Sequence, residues 1–212
     1  MKKILMVAGT AVLLIFLVYQ GSIAFFHAET QVGAKVSAGN LGIQLIENSD
    51  DKRAVKNGDE YQFLSVMPGD EIANTVHVEN VKEHTLYVRV TATKYWEDKN
   101  GNKLPDADAS LITLQTKDPA NWIIKDDAAN SNSEVVYFYY KLPMKSGTST
   151  TNLMDAIQIS TNLKDVNYSD YQVNLSFEAE AVQSISGTDA VLSEWGADMV
   201  LDKDGTIVSI DD

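Results

Sequence analysis

Tyr171-Gln172-Val173-Asn174-Leu175-Ser176-Phe177-Glu178-Ala179-Glu180-Ala181 is the stretch that decides the fold. Tyr171, Val173, Leu175, Phe177, Ala179 and Ala181 share one parity, and Gln172, Asn174, Ser176, Glu178 and Glu180 share the other. A period of two sustained this long describes a strand with one buried and one wet face, because successive side chains leave a pleated backbone on opposite sides. The same alternation recurs outward from it. Leu86, Val88, Val90 and Ala92 alternate with Tyr87, Arg89, Thr91 and Thr93, and Ile72, Val76 and Val78 alternate with Thr75, His77 and Glu79. Leu41, Ile43 and Leu45 point one way, and Leu153 to Ser160 reads as a further strand. Glu134 to Leu142 is denser in aromatics, with Tyr137, Phe138, Tyr139 and Tyr140 in succession, as expected of a strand covered on both sides.

Pro68-Gly69-Asp70, Lys99-Asn100-Gly101-Asn102 and Ser146-Gly147 punctuate these runs as turns. Thr188 to Trp195 reads as a short helix with Thr188 as its N-cap, and Met199–Leu201 and Thr206–Ile210 flank Asp204-Gly205 as a hairpin. Many short strands with little helical periodicity predict an all-β chain. The expected architecture is an antiparallel, jelly-roll-like β-sandwich with short helical pieces and a C-terminal hairpin.

The chain has 212 residues, 17 Lys+Arg against 30 Asp+Glu, three His and no Cys. Its net charge of −13 disfavours nucleic acid and anionic membrane surfaces as partners, since both are polyanions. Without cysteine there are no disulfides, no thiol catalysis and no Cys-ligated zinc.

Lys2 and Lys3 precede an uncharged run from Ile4 to Phe26, followed by the small residues Gly21, Ser22 and Ala24 near its end. This order reads as a secretory signal, with Ser22 and Ala24 at the small positions before the cleaved bond and cleavage after Ala24. The rival is a retained anchor, and that uncleaved signal is the only membrane contact expected. Either way, the chain beyond Phe26 is exported to the cell surface or the extracellular matrix. The expected layout is a signal over 1–24, an N-terminal strand segment over 25–39, a sandwich over 40–185 and a helix and hairpin extension over 186–212.

Segment 25–39 has its own alternation. Phe26, Ala28, Thr30, Val32, Ala34, Val36 and Ala38 occupy the even positions, with His27, Glu29, Gln31, Gly33, Lys35, Ser37 and Gly39 between them. One reading is a first strand of the chain's own domain, or a leader without structure. The other is a donor strand, which completes the open sheet edge of a neighbouring copy and, repeated head to tail, builds a filament.

Gly21-Ser22-Ile23-Ala24-Phe25-Phe26, Ser37-Ala38-Gly39-Asn40-Leu41-Gly42-Ile43, Met67-Pro68-Gly69-Asp70 and Val78-Glu79-Asn80 together resemble the TasA/camelysin family of Gram-positive bacteria. Leu86-Tyr87-Val88-Arg89-Val90, Tyr95-Trp96, Asn121-Trp122, Tyr139-Tyr140, Ser146-Gly147-Thr148, Glu180-Ala181-Val182-Gln183 and Glu194-Trp195-Gly196 are similar to its BsaA-like branch. The resemblance implies a jelly-roll-like sandwich, export through a SipW-type signal peptidase, and assembly into biofilm-matrix fibres by donation of the mature N-terminal strand. It also implies a mature chain starting at a Phe, so cleavage after Phe25 rivals cleavage after Ala24. The middle of the chain lacks the longer insertions of TasA itself.

Catalytic chemistry finds little purchase. There is no H-E-x-x-H, and His77, His84 and His27 read as surface histidines. No G-x-S-x-G occurs, and Ser146 to Thr151 reads as a polar loop. Glu178 and Glu180 fall on the wet face of one strand rather than across a cleft. Asp98-Lys99-Asn100-Gly101-Asn102 and Asp202-Lys203-Asp204-Gly205 echo acidic ion loops but lack the EF-hand spacing and read as hairpin turns. Leu142-Pro143-Met144-Lys145-Ser146-Gly147 lacks the Thr-Gly pair and hydrophobic tail of a sortase signal. Tyr137, Tyr139, Trp96 and Trp122 read as core aromatics before a sugar platform. The expectation is therefore a non-enzymatic fibre subunit with no cofactor and no metal. It assembles with copies of itself after processing by the signal peptidase, with an accessory assembly or anchoring protein as a further partner. The alternatives are a monomeric surface module that binds carbohydrate or host protein, and a camelysin-like metallopeptidase.

Overall fold

The computed structural model describes residues 35–36, 42–58, 60–163 and 170–211. They form an all-β, sandwich-like fold of two main sheets and a small C-terminal hairpin. The strands are β1 (Lys35–Val36), β2 (Ile43–Asn48), β3 (Ala54–Asn57), β4 (Glu60–Phe63), β5 (Glu71–Asn80), β6 (Leu86–Asp98) and β7 (Ile112–Gln115). There follow β8 (Trp122–Asp126), a single turn α1 (Ala128–Ser131), β9 (Val135–Tyr140), β10 (Met154–Ile159) and β11 (Tyr171–Gln183). Helix α2 (Gly187–Trp195) and the pair β12 (Asp198–Leu201) and β13 (Ile207–Asp211) end the chain.

The larger sheet runs β3-β4-β11-β6-β9-β8, with β1 joined to β11, and the smaller runs β2-β5-β10-β7. Their pairings are antiparallel except β1 with β11. The alternations expected from sequence lie in β2, β5, β6, β9, β10 and β11. Strands β3, β4, β7 and β8 carry too few residues to display a period. Between the sheets Val88, Val90, Trp96, Phe138, Ile157 and Leu175 are fully buried in one core.

A second apolar cluster lies on the opposite face of the larger sheet. Tyr87, Tyr139 and Val182 meet Val191, Trp195, Met199, Ile207 and Ile210 of the C-terminal elements. Strand β9 is thus buried on both sides, which is why it is so rich in aromatics. Two glycines shape this cover, one by close approach and one by its backbone conformation. A Cβ on Gly187 would stand 2.6 Å from Tyr87 Cε2, and Gly196 ends α2 at a φ of 68°, the left-handed region that glycine adopts most readily. The N-cap falls two residues before the expected position, at Ser186 rather than Thr188, and the Ser186 side chain makes no capping bond. Tyr87 Oη donates to the Gly205 carbonyl at 2.8 Å and fastens the hairpin turn to the sheet. Among the described residues no helix is long and apolar enough to cross a membrane.

Candidate strand-acceptor edge

β11 is paired along one edge for its whole length, from Tyr171 opposite Asp98 to Gln183 opposite Leu86. Its other edge is shared. β4 covers Val173 to Ser176 in the antiparallel sense, and β1 then takes Glu178 and Ala179 in the parallel sense, with Lys35 opposite Glu178 and Val36 opposite Ala179. Among the described residues, no other strand pairs with that edge between Phe177 and Gln183. β2 pairs only with β5 in the smaller sheet, and β2 lies close to both β11 and β1. Among the described residues, these edges of the two sheets adjoin. Phe177, Ala179 and Ala181 present their side chains to the core along this line, and two of the three are small.

On the outward side of the same strand Glu178 is half-buried, and Glu180 meets Arg89 at 2.6 Å. Burial pushes the Glu180 carboxyl up, against the pull of Arg89. The Arg89 guanidinium also lies 5.2 Å from the Trp195 ring centroid and 5.6 Å from that of Tyr137. The face expected to be wet at Glu180 is instead partly roofed by α2, because Arg89 neutralises the carboxylate and the apolar cluster seals its flank.

Of the expected donor positions, Val36 falls within the described residues and pairs with Ala179. Phe26, Ala28, Thr30, Val32, Ala34 and Ala38 lie outside them, as do the cleavage residues Ser22, Ala24 and Phe25. The remaining candidates are dispersed. His77 lies 3.6 Å from Glu79 on β5, and His84 is exposed in the turn after it. Asp98 Oδ1 accepts the backbone N–H groups of Asn100 and Asn102, and bonds from Asn102 and Asn100 hold its carboxyl down at about 2. Asp202 does the same for Asp204 and Thr206. These carboxylates stabilise their turns by local hydrogen bonds. Trp96 and Trp122 are in the inter-sheet core, whereas Tyr137 and Tyr139 are on the opposite face of the sheet, so the four share no platform. Among the described residues no three His, Asp or Glu side chains group as a metal centre.

Comparison of the chain with protein-family models, with curated proteins and with solved structures finds no match.

Proposed function

We propose that this chain is an exported structural subunit of extracellular matrix fibres, assembling when the N-terminal strand of one copy pairs along β11 of the next. The observation that carries the proposal is that Lys35 and Val36 of the N-terminal segment pair in parallel with Glu178 and Ala179, on the β11 edge just beyond the stretch that β4 covers. An exposed backbone edge gives affinity through main-chain hydrogen bonds, and alternate side chains give register. The register of β1 sets Val36 opposite the core-facing Ala179, and a donated strand that keeps this register would bring its other even-numbered residues opposite odd positions of β11, in keeping with the apolar residues at even positions. Removal of Lys2 and Lys3 with the signal takes 17 basic residues to 15 against 30 acidic, a net of −15. Subunits of that charge repel, and salt speeds their association by screening. In this reading the protein is not an enzyme, and a SipW-type signal peptidase frees its N-terminus.

A second reading rests on the same pairing. β1 here belongs to the chain whose β11 it extends, as in a self-completed monomer acting as a surface binding module. The two readings separate by cross-linking, because the chain has no native cysteine. Mature chains carrying Val36→Cys are mixed with chains carrying Ala179→Cys under mild oxidation. Disulfide-linked heterodimers, together with fibres in negative stain from a chain starting at Phe26 but not from one starting at Gly39, are the expected result. Cross-linking only within a Val36→Cys/Ala179→Cys double variant, with soluble monomers throughout, refutes strand donation in favour of the monomeric module.

A further inference from the structure

We propose that a cavity on the outer face of the larger sheet binds one unit of a saccharide chain. The cavity measures about 270 Å³ and is walled by residues of β6, β8, α1, β9 and α2. That is just below the range of about 300–1,000 Å³ typical of drug-sized ligands, so it suits a single ring-sized unit. β11 supplies none of its lining residues, so the site does not depend on whether strands are exchanged at the β11 edge.

Tyr137 of β9 and Trp195 of α2 supply aromatic surface, and Arg89 rests against both rings. The guanidinium is held in place by Glu180 at 2.6 Å and by a bond from its Nη1 to the Trp195 carbonyl at 3.3 Å. Lys125 lies opposite Tyr137 on β8, so the two side chains share a face. Lys125 is half-buried, and among the described residues its ammonium has no hydrogen-bond or ion-pair partner, although Asp and Glu outnumber Lys and Arg by 30 to 17. Tyr137 Oη is likewise uncommitted. On the rim Asn130 Nδ2 donates to Asp127 Oδ1 at 2.8 Å, which leaves Asp127 Oδ2 and Asn130 Oδ1 as open acceptors.

The mixture of groups selects the ligand. The lining carries Arg89 and Lys125 against Asp126 and Asp127, and Glu180 already neutralises Arg89. A free anion gains little there in a chain of net charge −13, and Lys125 opposes a free cation. A hydroxyl both donates and accepts. A ring bearing several hydroxyls therefore satisfies an ammonium, a carboxylate and an amide together, while its C–H groups cover the aromatic surface. The rim is also built in advance. Asn132 and Ser133, two successive non-glycine residues, follow α1 with φ of 52° and 60°. Such backbone persists where surrounding bonds over-determine it, and it gathers at ligand sites. Here the buried Lys94 ammonium holds the Ser133 carbonyl, and Ser131 Oγ bonds the Asp127 carbonyl at 2.6 Å. A rim fixed beforehand lowers the ordering cost of binding.

Tryptophan fluorescence of the full chain, titrated with maltotriose, cellotriose and triacetylchitotriose, tests the site. Trp96 and Trp122 lie in the inter-sheet core, so Trp195 is the residue that reports on the cavity. At least one trisaccharide is expected to shift the emission, with half-saturation at roughly 1–10 mM for one seated unit of about a dozen heavy atoms. The shift should vanish in Trp195→Phe. Lys125→Met should weaken binding about tenfold and Asn130→Ala about threefold, with unfolding midpoints near that of the wild type. Sodium sulfate at matched ionic strength should leave the emission unchanged. No response to any of the three sugars up to about 100 mM, ten times the weakest expected half-saturation, would overturn the proposal. So would a response kept in Trp195→Phe, unchanged affinity in both Lys125→Met and Asn130→Ala, or a response to sulfate alone.

Discussion

Replacing Glu47 by Gln should abolish a pH dependence of stability that the fold stores in one carboxyl group. Glu47 lies on the inner face of β2 and is 5% exposed. Its Oε1 accepts from Asn74 Nδ2 at 2.7 Å, while its Oε2 and Asn74 Oδ1 have no partner. Removal from water outweighs the Asn74 bond and the charge of Lys56, and pushes the carboxyl from 4.5 up to about 7. A raised value in the folded state means that folding favours the protonated form. The associated stability is fully present below pH 4.5 and is lost as pH rises through the window up to about 7. At 1.36 kcal/mol per pH unit the loss is on the order of 3 kcal/mol, a sizeable part of a typical domain stability of about 5–15 kcal/mol. Urea unfolding at pH 5, 6, 7 and 8 on wild type and Glu47→Gln measures it. The difference between the two proteins should change by about 3 kcal/mol across the window and level off above it, since the other titrating groups are common to both. A difference independent of pH would refute the reasoning and mean that water reaches the Glu47 carboxylate.

Three further outcomes follow from packing and pairing. Lys94 is 2% exposed on β6, and its ammonium donates to the carbonyls of Ala109 and Ser133, so Lys94→Met should cost about 1–3 kcal/mol by chemical denaturation. Gly187→Ala drives a methyl into Tyr87 Cε2 and should cost about 1–3 kcal/mol, with the loss of the near-ultraviolet signal of Tyr87 and Trp195 reporting a loosened cover. Arg89→Met and Glu180→Gln should couple in a double-mutant cycle, the single Arg89→Met being worse than the pair because it strands a partly buried carboxylate.

The sandwich was legible in the sequence where strands were long. β11 and β6 announce themselves by alternation, and their partnership along thirteen residue pairs dominates the larger sheet. β3 and β4, with only four residues each, were silent because polar Lys56, Asn57, Glu60 and Gln62 sit on a short hairpin whose outer face needs no apolar period. Polarity also misleads about exposure. Asn174 and Glu97 look like wet-face residues, yet they are buried by one another and by Gln62, and no one-dimensional pattern reports mutual burial of polar groups. Arg89 and Glu180 are a similar case, since the cover that dries them comes from a helix and hairpin at the far end of the chain. No sequence pattern marked the part of the β11 edge that β4 leaves to β1. The edge itself depends on where β4 stops, which is a matter of three-dimensional pairing.

That stopping point has a further consequence. β4 ends its pairing at Ser176 and runs antiparallel to β11, while the strand beyond it runs parallel. For the proposed strand donation, the end of β4 would act as a stop for any strand laid on this edge. The stretch of β11 beyond that stop, Phe177 to Gln183, is seven residues long, roughly 23 Å at strand spacing. Sliding a donated strand one residue either way turns its apolar side chains outward, and sliding it two residues towards Ser176 runs it into β4. If copies assemble as proposed, that stop indexes the register of each donated strand, and the junctions repeat at one step.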